Sequence, residues 1–419
     1  MSLTNTDHAG PDKVYYDVVI TNFENNTAIP PAVYFNETRN NPFLLNPEAY
    51  FASIIRFTLD TPSLPVLTCL IQPGQTQSNP NLSAYSTTLT WSYLSVNYTS
   101  GQTFLIYAPQ DLTASVPKPP SMNTNFTQDN ENGYYYIYNY QYFIYLVNLT
   151  FNQAYLNLYN NILAVNPAAA AAFVATSPYA PSMTYNTTDY IAILNTDANG
   201  YNTSNPGSIN IFFNGPMTQL FTSFPTFVYS ISGSITGFAP YTYNGVPGVT
   251  TSTGMNVKLE TTLFGGSNTQ PNYLFTNPVL NVTGEATAIN TYQEYSSVSL
   301  WTPVTAIVFC SNTLPIVPNQ VSAPLIFQNG VPYTSGNNAN IANIISDFVS
   351  DNGIYKPSIV YSPTAQYRYI SMIGNRPIYN LDVSVYWRSR EGVLQPFRLT
   401  SGSTATIKIL FTAKDSQAN

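Results

Sequence analysis

The sequence predicts a mainly β protein with one long helix, and three observations carry that expectation. Runs of alternating apolar and polar residues recur along the chain, the 32 prolines fall mainly between them, and an apolar content of 44% supports a large buried core. Proline has no N–H to give a sheet ladder, so it belongs in connections such as Asp60-Thr61-Pro62-Ser63-Leu64-Pro65 and Val116-Pro117-Lys118-Pro119-Pro120. At 419 residues the chain exceeds the roughly 250 to 300 residues at which one core stops growing. Two units are therefore expected: residues 1–200, β-rich with a helix, and residues 205–419, a C-terminal β-sandwich. The boundary falls in the polar segment Thr196–Ser208, which holds Asn-Gly and Asn-Pro turn signals.

In the first unit, strands are expected over Val14–Thr21, Ser53–Leu59, Thr87–Asn97 and Thr103–Ala108. A helix is expected over 142–165, where Tyr142, Leu146, Leu149, Leu156, Tyr159 and Leu163 recur every three to four residues until Pro167 stops the pattern. Asn148, Asn152, Gln153, Asn157, Asn160 and Asn161 would each be costly in hydrocarbon, so this is a helix laid on a sheet and no membrane span is expected. The Ala168–Ala172 run adds a turn or a compact connector. In the second unit the strands are Ile209–Phe213, Thr226–Gly233, Met255–Phe264, Ser297–Trp301, Ala306–Ser311, Ile359–Ser362, Tyr367–Ile373, Leu381–Arg388 and Thr404–Thr412. Ile341, Ile344, Ile345, Phe348 and Val349 sit at i, i+3, i+4, i+7 and i+8, which marks a short amphipathic helix over 341–349, with a bulged strand as the alternative. No period of 20 to 50 residues repeats, so a solenoid or propeller has no support.

Composition removes several function classes. His8 is the only histidine and lies in a polar segment near the start, so the folded body has no place for a histidine base, a histidine triad or a multi-histidine metal centre. Cys69 and Cys310, the only cysteines, read as two buried small hydrophobes, with a single disulfide or a reactive thiol as the alternative. No cofactor or metal is expected. Net charge is −7 and neither end has a basic arm, which disfavours direct nucleic-acid packaging. Met1–Gly10 has neither the basic nor the apolar region of a cleaved secretory signal. The nine Asn-x-Ser/Thr sequons match what chance supplies in a chain this rich in Asn, Ser and Thr.

Charge is scarce and uneven. Charged residues make up 8% of the chain, against about 25% in ordinary domains, and none falls between Ala198 and Val257, as expected for strands packed on both faces or against other subunits. Eight of the 13 Lys and Arg residues follow Tyr355. Asp347 and Asp351 are spaced i, i+4, which could put two carboxylates on one helical face, and read as a solvated face; a two-carboxylate or divalent-cation site is the sharper alternative. Phe264-Gly265-Gly266-Ser267-Asn268 lacks the lysine and spacing of a phosphate loop and reads as a tight turn. The densest aromatic run, Tyr134 to Phe143, has no interleaved Arg or Lys and so makes a poor nucleic-acid site. Tyr135, Tyr136 and Tyr138 are assigned to core packing or a subunit interface, where tyrosine supplies area and a hydroxyl. Tyr386-Trp387-Arg388-Ser389-Arg390-Glu391-Gly392 reads as a strand running into a hairpin tip, and Arg388, Arg390 and Arg398 are candidates for contact with acidic patches of a neighbouring subunit.

The C-terminal part adds a resemblance. Gln293-Glu294-Tyr295-Ser296, Leu300-Trp301-Thr302-Pro303-Val304, Ile307-Val308-Phe309, Ile345-Ser346-Asp347-Phe348, Tyr361-Ser362-Pro363, Tyr367-Arg368, Asp382 to Trp387, Gln395-Pro396-Phe397 and Ala405-Thr406-Ile407-Lys408 follow in succession. Over roughly residues 210–412 this succession resembles capsid structural proteins of icosahedral viruses from aquatic environments. The resemblance implies a jelly-roll-type antiparallel β-sandwich, double or single with insertions. It also implies a structural, non-enzymatic role in the virion, by self-assembly with copies of itself and other capsid proteins inside the host cell. The chain departs from many capsid proteins of single-stranded genomes in lacking a basic arm. The rival expectation is a receptor- or glycan-binding β-protein that uses the Tyr134–Tyr145 segment and the loops around Asn244-Gly245.

Overall fold

Lys13–Thr21 alternates as a half-buried strand must: Tyr16 and Val18 point inward, while Tyr15, Asp17 and Val19 face water. The computed structural model describes residues 10–23, 30–72, 80–109, 128, 133–201, 207–224, 226–228, 255–260, 272–276, 278–280, 286–316, 326–328, 331–333, 343–349, 357–362, 368–390 and 392–415. The chain opens with β1 (Lys13–Thr21), β2 (Tyr34–Thr38) and β3 (Tyr50–Asp60). A long middle section follows with β4 (Leu67–Thr68), β5 (Leu82–Tyr93), β6 (Val96–Thr99), β7 (Thr103–Ile106), β8 (Tyr136–Ile137), α1 (Tyr140–Val165) and α2 (Pro167–Thr176). It continues through β9 (Ser182–Asn186), β10 (Ile191–Asp197), α3 (Ala198–Tyr201), β11 (Asn210–Asn214), α4 (Gly215–Leu220), β12 (Thr226–Val228), β13 (Met255–Glu260), β14 (Asn272–Thr276), β15 (Pro278–Leu280) and β16 (Ala286–Tyr292). The last section holds β17 (Val304–Cys310), β18 (Ile326–Gln328), β19 (Val331–Tyr333), β20 (Ile344–Val349), β21 (Ser358–Tyr361), β22 (Ile370–Ser371), β23 (Asn380–Ser389), β24 (Leu394–Pro396) and β25 (Thr404–Ala413).

The first and last sections interlock. One sheet runs β1-β25-β3-β21 and the facing sheet β2-β23-β17-β20, with the short β22 and β24 attached beside β3 and β23. Numbered in chain order, these eight strands read 1-8-3-6 and 2-7-4-5, the antiparallel order of a single jelly roll. Between the sheets lie Val18, Ile54, Phe57, Leu59, Phe309, Val383, Val385, Ile407 and Phe411. At the centre, the Phe57 ring meets Phe309 and Phe348 at 4.9 Å each, and Tyr361 lies 4.3 Å from Phe348.

The described strands and helices between β3 and β17 build a second unit threaded into the first. It has a seven-stranded sheet, β12-β14-β13-β11-β5-β6 with β7 beside β5, and a four-stranded sheet, β15-β16-β10-β9. The β11–β13 pair is parallel, which no antiparallel jelly roll contains, so this insertion is not a second roll. The helix expected at 142–165 is α1: Asn139 caps it by accepting N–H bonds from Gln141 (2.7 Å) and Tyr142 (3.4 Å), and its inner face sends Phe143, Val147, Phe151, Ala154, Leu158 and Ile162 into the core. Asn166 ends α1 and caps α2 through Ala168 and Ala169, with Pro167 at the first helical position. The alanine run is thus a ten-residue helix and more than a turn. No helix among the described residues is long and apolar enough to cross a membrane.

Four expectations change. Within 341–349, Ile344–Val349 forms the strand β20, not a short helix but the bulged-strand alternative: Phe309 pairs with Ser346 and Cys310 with Ile344, which leaves Ile345 as the extra residue. The bulge puts Ile345 and Phe348 on the inner face three residues apart and so reproduces helical spacing in a strand. Ser297–Trp301 is not a strand; Val298–Leu300 forms one 3₁₀ turn. Thr87–Asn97 is two strands, β5 and β6, hinged at Leu94 and Ser95 with φ of +47° and +65°. The cut near 200–205 does not separate the cores, because β11 pairs with β5, β16 with β10 and β25 with β1. Asp351, the Phe264–Asn268 turn and the Asn244-Gly245 loops lie outside the described residues.

Candidate assembly surfaces

Each tyrosine of the aromatic run has a place inside the chain. Successive residues of β8 point opposite ways, so Ile137 enters the core of the insertion and Tyr136 the core of the jelly roll, where its ring meets Trp387 edge-on at 5.7 Å. Tyr135 stands in the insertion core and donates its hydroxyl to the carbonyl of Pro80 at 2.8 Å. Tyr138 is half-buried against the jelly-roll core; burial pushes its hydroxyl up to about 12, and Arg398 pulls the other way. Tyr135 is likewise pushed up to about 12, by burial first and by Tyr134 and Cys69 after it. Tyr136 and Tyr138 join the two units from within, and the aromatic segment on which a glycan site would rest is turned largely inward.

The three arginines also have acceptors in the chain. Arg388 and Arg368 converge on Asp347, with N–O distances of 3.5 and 2.9 Å, across the outer face of the β2-β23-β17-β20 sheet. Arg390 donates Nε to the carbonyl of Thr302 at 2.7 Å and Nη2 to that of Ser299, which ties the end of β23 to the segment where the chain leaves the insertion. Arg398 donates to the carbonyl of Pro30 at 2.8 Å, and its own carbonyl accepts the Ser63 hydroxyl. Asp347, expected to share a helical face with Asp351, is thus the anion of an arginine pair on a strand.

Sequence reasoning passed over Asp382. Its side chain lies on the outer face of β23, yet the residue is only 2% exposed. Its carboxylate accepts the hydroxyls of Ser311 (2.6 Å) and Thr313 (2.7 Å) and the N–H groups of Asn312 and Thr313 (both 2.9 Å). Burial alone would raise its pKa, but these four donors outweigh it and hold the carboxyl below its usual range. The signal was present: one carboxylate in Leu381-Asp382-Val383-Ser384-Val385, an otherwise uncharged stretch, needs donors if it is to stay ionised.

Two of the remaining outer faces expose large apolar side chains. On the free face of the β1-β25-β3-β21 sheet, Tyr15, Val19 and Val360 are exposed around a Lys408–Asp17 pair at 3.3 Å, and the Lys408 ammonium sits 5.5 Å from the Tyr15 ring centre. On the insertion, the outer side of α1 exposes Tyr145, Leu149, Leu156 and Leu163. Such faces suit contact with other protein surfaces.

The comparisons agree with this picture. The chain is 30% identical to an uncharacterized protein V18 of Sputnik virophage over 148 residues, 35% of this chain and 83% of that one. It is 33% identical to the structural protein V19 of the same virophage over 129 residues, 30% of this chain and 56% of that one. In fold it is similar to a chain of the Sputnik virophage structure solved by cryo-EM at 3.5 Å, with a TM-score of 0.69 and 23% identity over 97% of this chain and 99% of that one. It is also similar to the crystal structure of the mavirus penton protein, with a TM-score of 0.53 and 14% identity over 96% of this chain and 100% of that one. The family model of the Sputnik minor capsid protein V18/19 matches residues 14–413. A single jelly roll carrying a large insertion, matched by that family along nearly its whole length, belongs to the Sputnik minor capsid protein V18/19 family and is a structural protein of the virion shell.

Proposed function

We propose that the chain is a penton-type subunit, which assembles with copies of itself at the vertices of the icosahedral shell and docks there against other shell proteins. The observation that carries this reading is the end-to-end similarity in fold to the mavirus penton protein, jelly roll and insertion together. The scarcity of charge supports it, since a sparsely charged surface meets copies of itself with little like-charge repulsion. The work is geometric: the roll supplies a stiff body and the insertion a second contact layer, and no catalysis is assigned. Light scattering and electron microscopy of the purified chain test the reading. Ring-shaped capsomers, and the same chain at the vertices of particles, are the expected result; a monomer at every concentration, or density away from the vertices, would sink it.

A further inference from the structure

From Gly133 to Thr188 the sequence contains no charged residue, and α1 lies wholly within that stretch. One side of α1 is buried in the insertion. Along the other, Tyr145, Leu149, Asn152, Leu156 and Leu163 follow at spacings of four, three, four and seven residues, the a/d spacing of a coiled-coil seam, with the position between the last two taken by Tyr159, which is half-buried against the insertion core. Tyr145, Leu149, Leu156 and Leu163 are 54, 46, 51 and 41% exposed. A helix that served only to cover its own core would carry charges on this line.

We infer that α1 of one copy packs along α1 of a neighbouring copy through this seam, parallel and in register. The inference rests on the assembly reading above and names the contact made by the insertion. Two observations select a second copy as the occupant. Heptad spacing fits another helix, and among the described residues no other helix exceeds ten residues. A charge-free helix meets its own copy without repulsion and offers an ionic partner or an anionic lipid surface nothing to pair with. At about 200 Å² for a whole side chain of this size, Tyr145, Leu149, Leu156 and Leu163 expose on the order of 400 Å². A stable interface needs about 800 Å² per partner, so the seam is too small to hold a free pair and is sized as one part of a larger contact between copies. Asn152 is the amide of an otherwise apolar line, and aligning it with the same residue of the next copy sets register and direction.

The test uses the full chain with Leu156→Cys, under mild oxidation at concentrations where the parent forms oligomers. Cys69 and Cys310 are buried and do not compete. The expected result is a disulfide-linked dimer on a non-reducing gel, with none from Thr187→Cys on the exposed β9–β10 turn. A second variant, Leu149→Gln with Leu156→Gln and Leu163→Gln, is expected to lower the oligomer fraction several-fold at an unchanged melting temperature, since all three side chains are outside the core. Oligomers of the parent whose Leu156→Cys form gives no dimer, or gives no more than Thr187→Cys, overturn the seam and leave the assembly reading standing. So does a triple variant that assembles like the parent. A parent that never forms oligomers overturns both.

Discussion

Asp382 shows how much one side chain can organise. Four donors from Ser311, Asn312 and Thr313 converge on its carboxylate and pin the end of β17 to β23. Replacing it with Asn keeps the shape but removes the charge and one acceptor, and is expected to cost about 1–3 kcal/mol of stability. The pH dependence has a definite sign. A pKa held below the unfolded value means the stabilisation is complete above that value, about 3.9, and is lost as pH falls through the folded one. Acid titration of unfolding is expected to show that loss below about pH 4, and Asp382→Asn should flatten it; an identical acid limb in both proteins would contradict the assignment. The cysteines are the opposite case, inert by burial. Cys69 sits in the insertion core and Cys310 in a small cluster on the far side of β17; burial pushes the Cys310 thiol up to about 12 and Cys69 well above its ordinary value. Native protein is expected to react with an aromatic disulfide reagent only on unfolding, and reductant should leave the melting temperature unchanged.

At the scale of elements, Tyr136 is the side chain that couples the two units. Tyr136→Ala is expected to destabilise by about 3–5 kcal/mol, as large aromatic truncations do. In calorimetry, the insertion and the roll should then separate into two transitions; one unchanged transition would place the coupling elsewhere. Elements were legible where the local pattern decides them. The 26-residue α1 announced itself because apolar residues recur on it every three to four positions, although those positions mix two faces: Leu146 is buried, while Leu149, Leu156 and Leu163 are exposed. β1, β3, β23 and β25 were legible from simple alternation. β20 was misread because a bulge imitates helical spacing, and a bulge is imposed by its partner β17, which local sequence does not reveal. The arginines were legible as a cluster but not as clamps, since their acceptors are backbone carbonyls at Thr302, Ser299 and Pro30 and a strand carboxylate that only the fold brings near.

For the whole molecule, the nesting of one unit in the other was the illegible part. Lys13 pairs with Thr412, a partner at the far end of the chain, and no local signal marks such a pairing. The eight strands of the roll close without any strand of the insertion, which lends the roll mainly Tyr136 and Tyr138. Replacing residues 66–302 with a short Gly/Ser linker is therefore expected to leave a cooperatively folded β-sandwich with a lower melting temperature. Circular dichroism and hydrogen exchange would check it, with protected amides expected in β3, β23 and β25. Loss of all protection would show that the insertion is needed to close the roll.

The pairing of β1 with β25 also sets an order in time. At about 5–20 residues per second, roughly 20 to 80 s of synthesis separate the first strand of the roll from the one it must lie against. The insertion, whose strands all come from the middle of the chain, is complete and can fold during that wait, while β1, β2 and β3 stay without their sheet. A chain cut short between β17 and β25 thus carries a finished insertion on an open roll. Only full-length copies present closed jelly rolls to their neighbours, so the topology itself screens truncated products before they reach a shell.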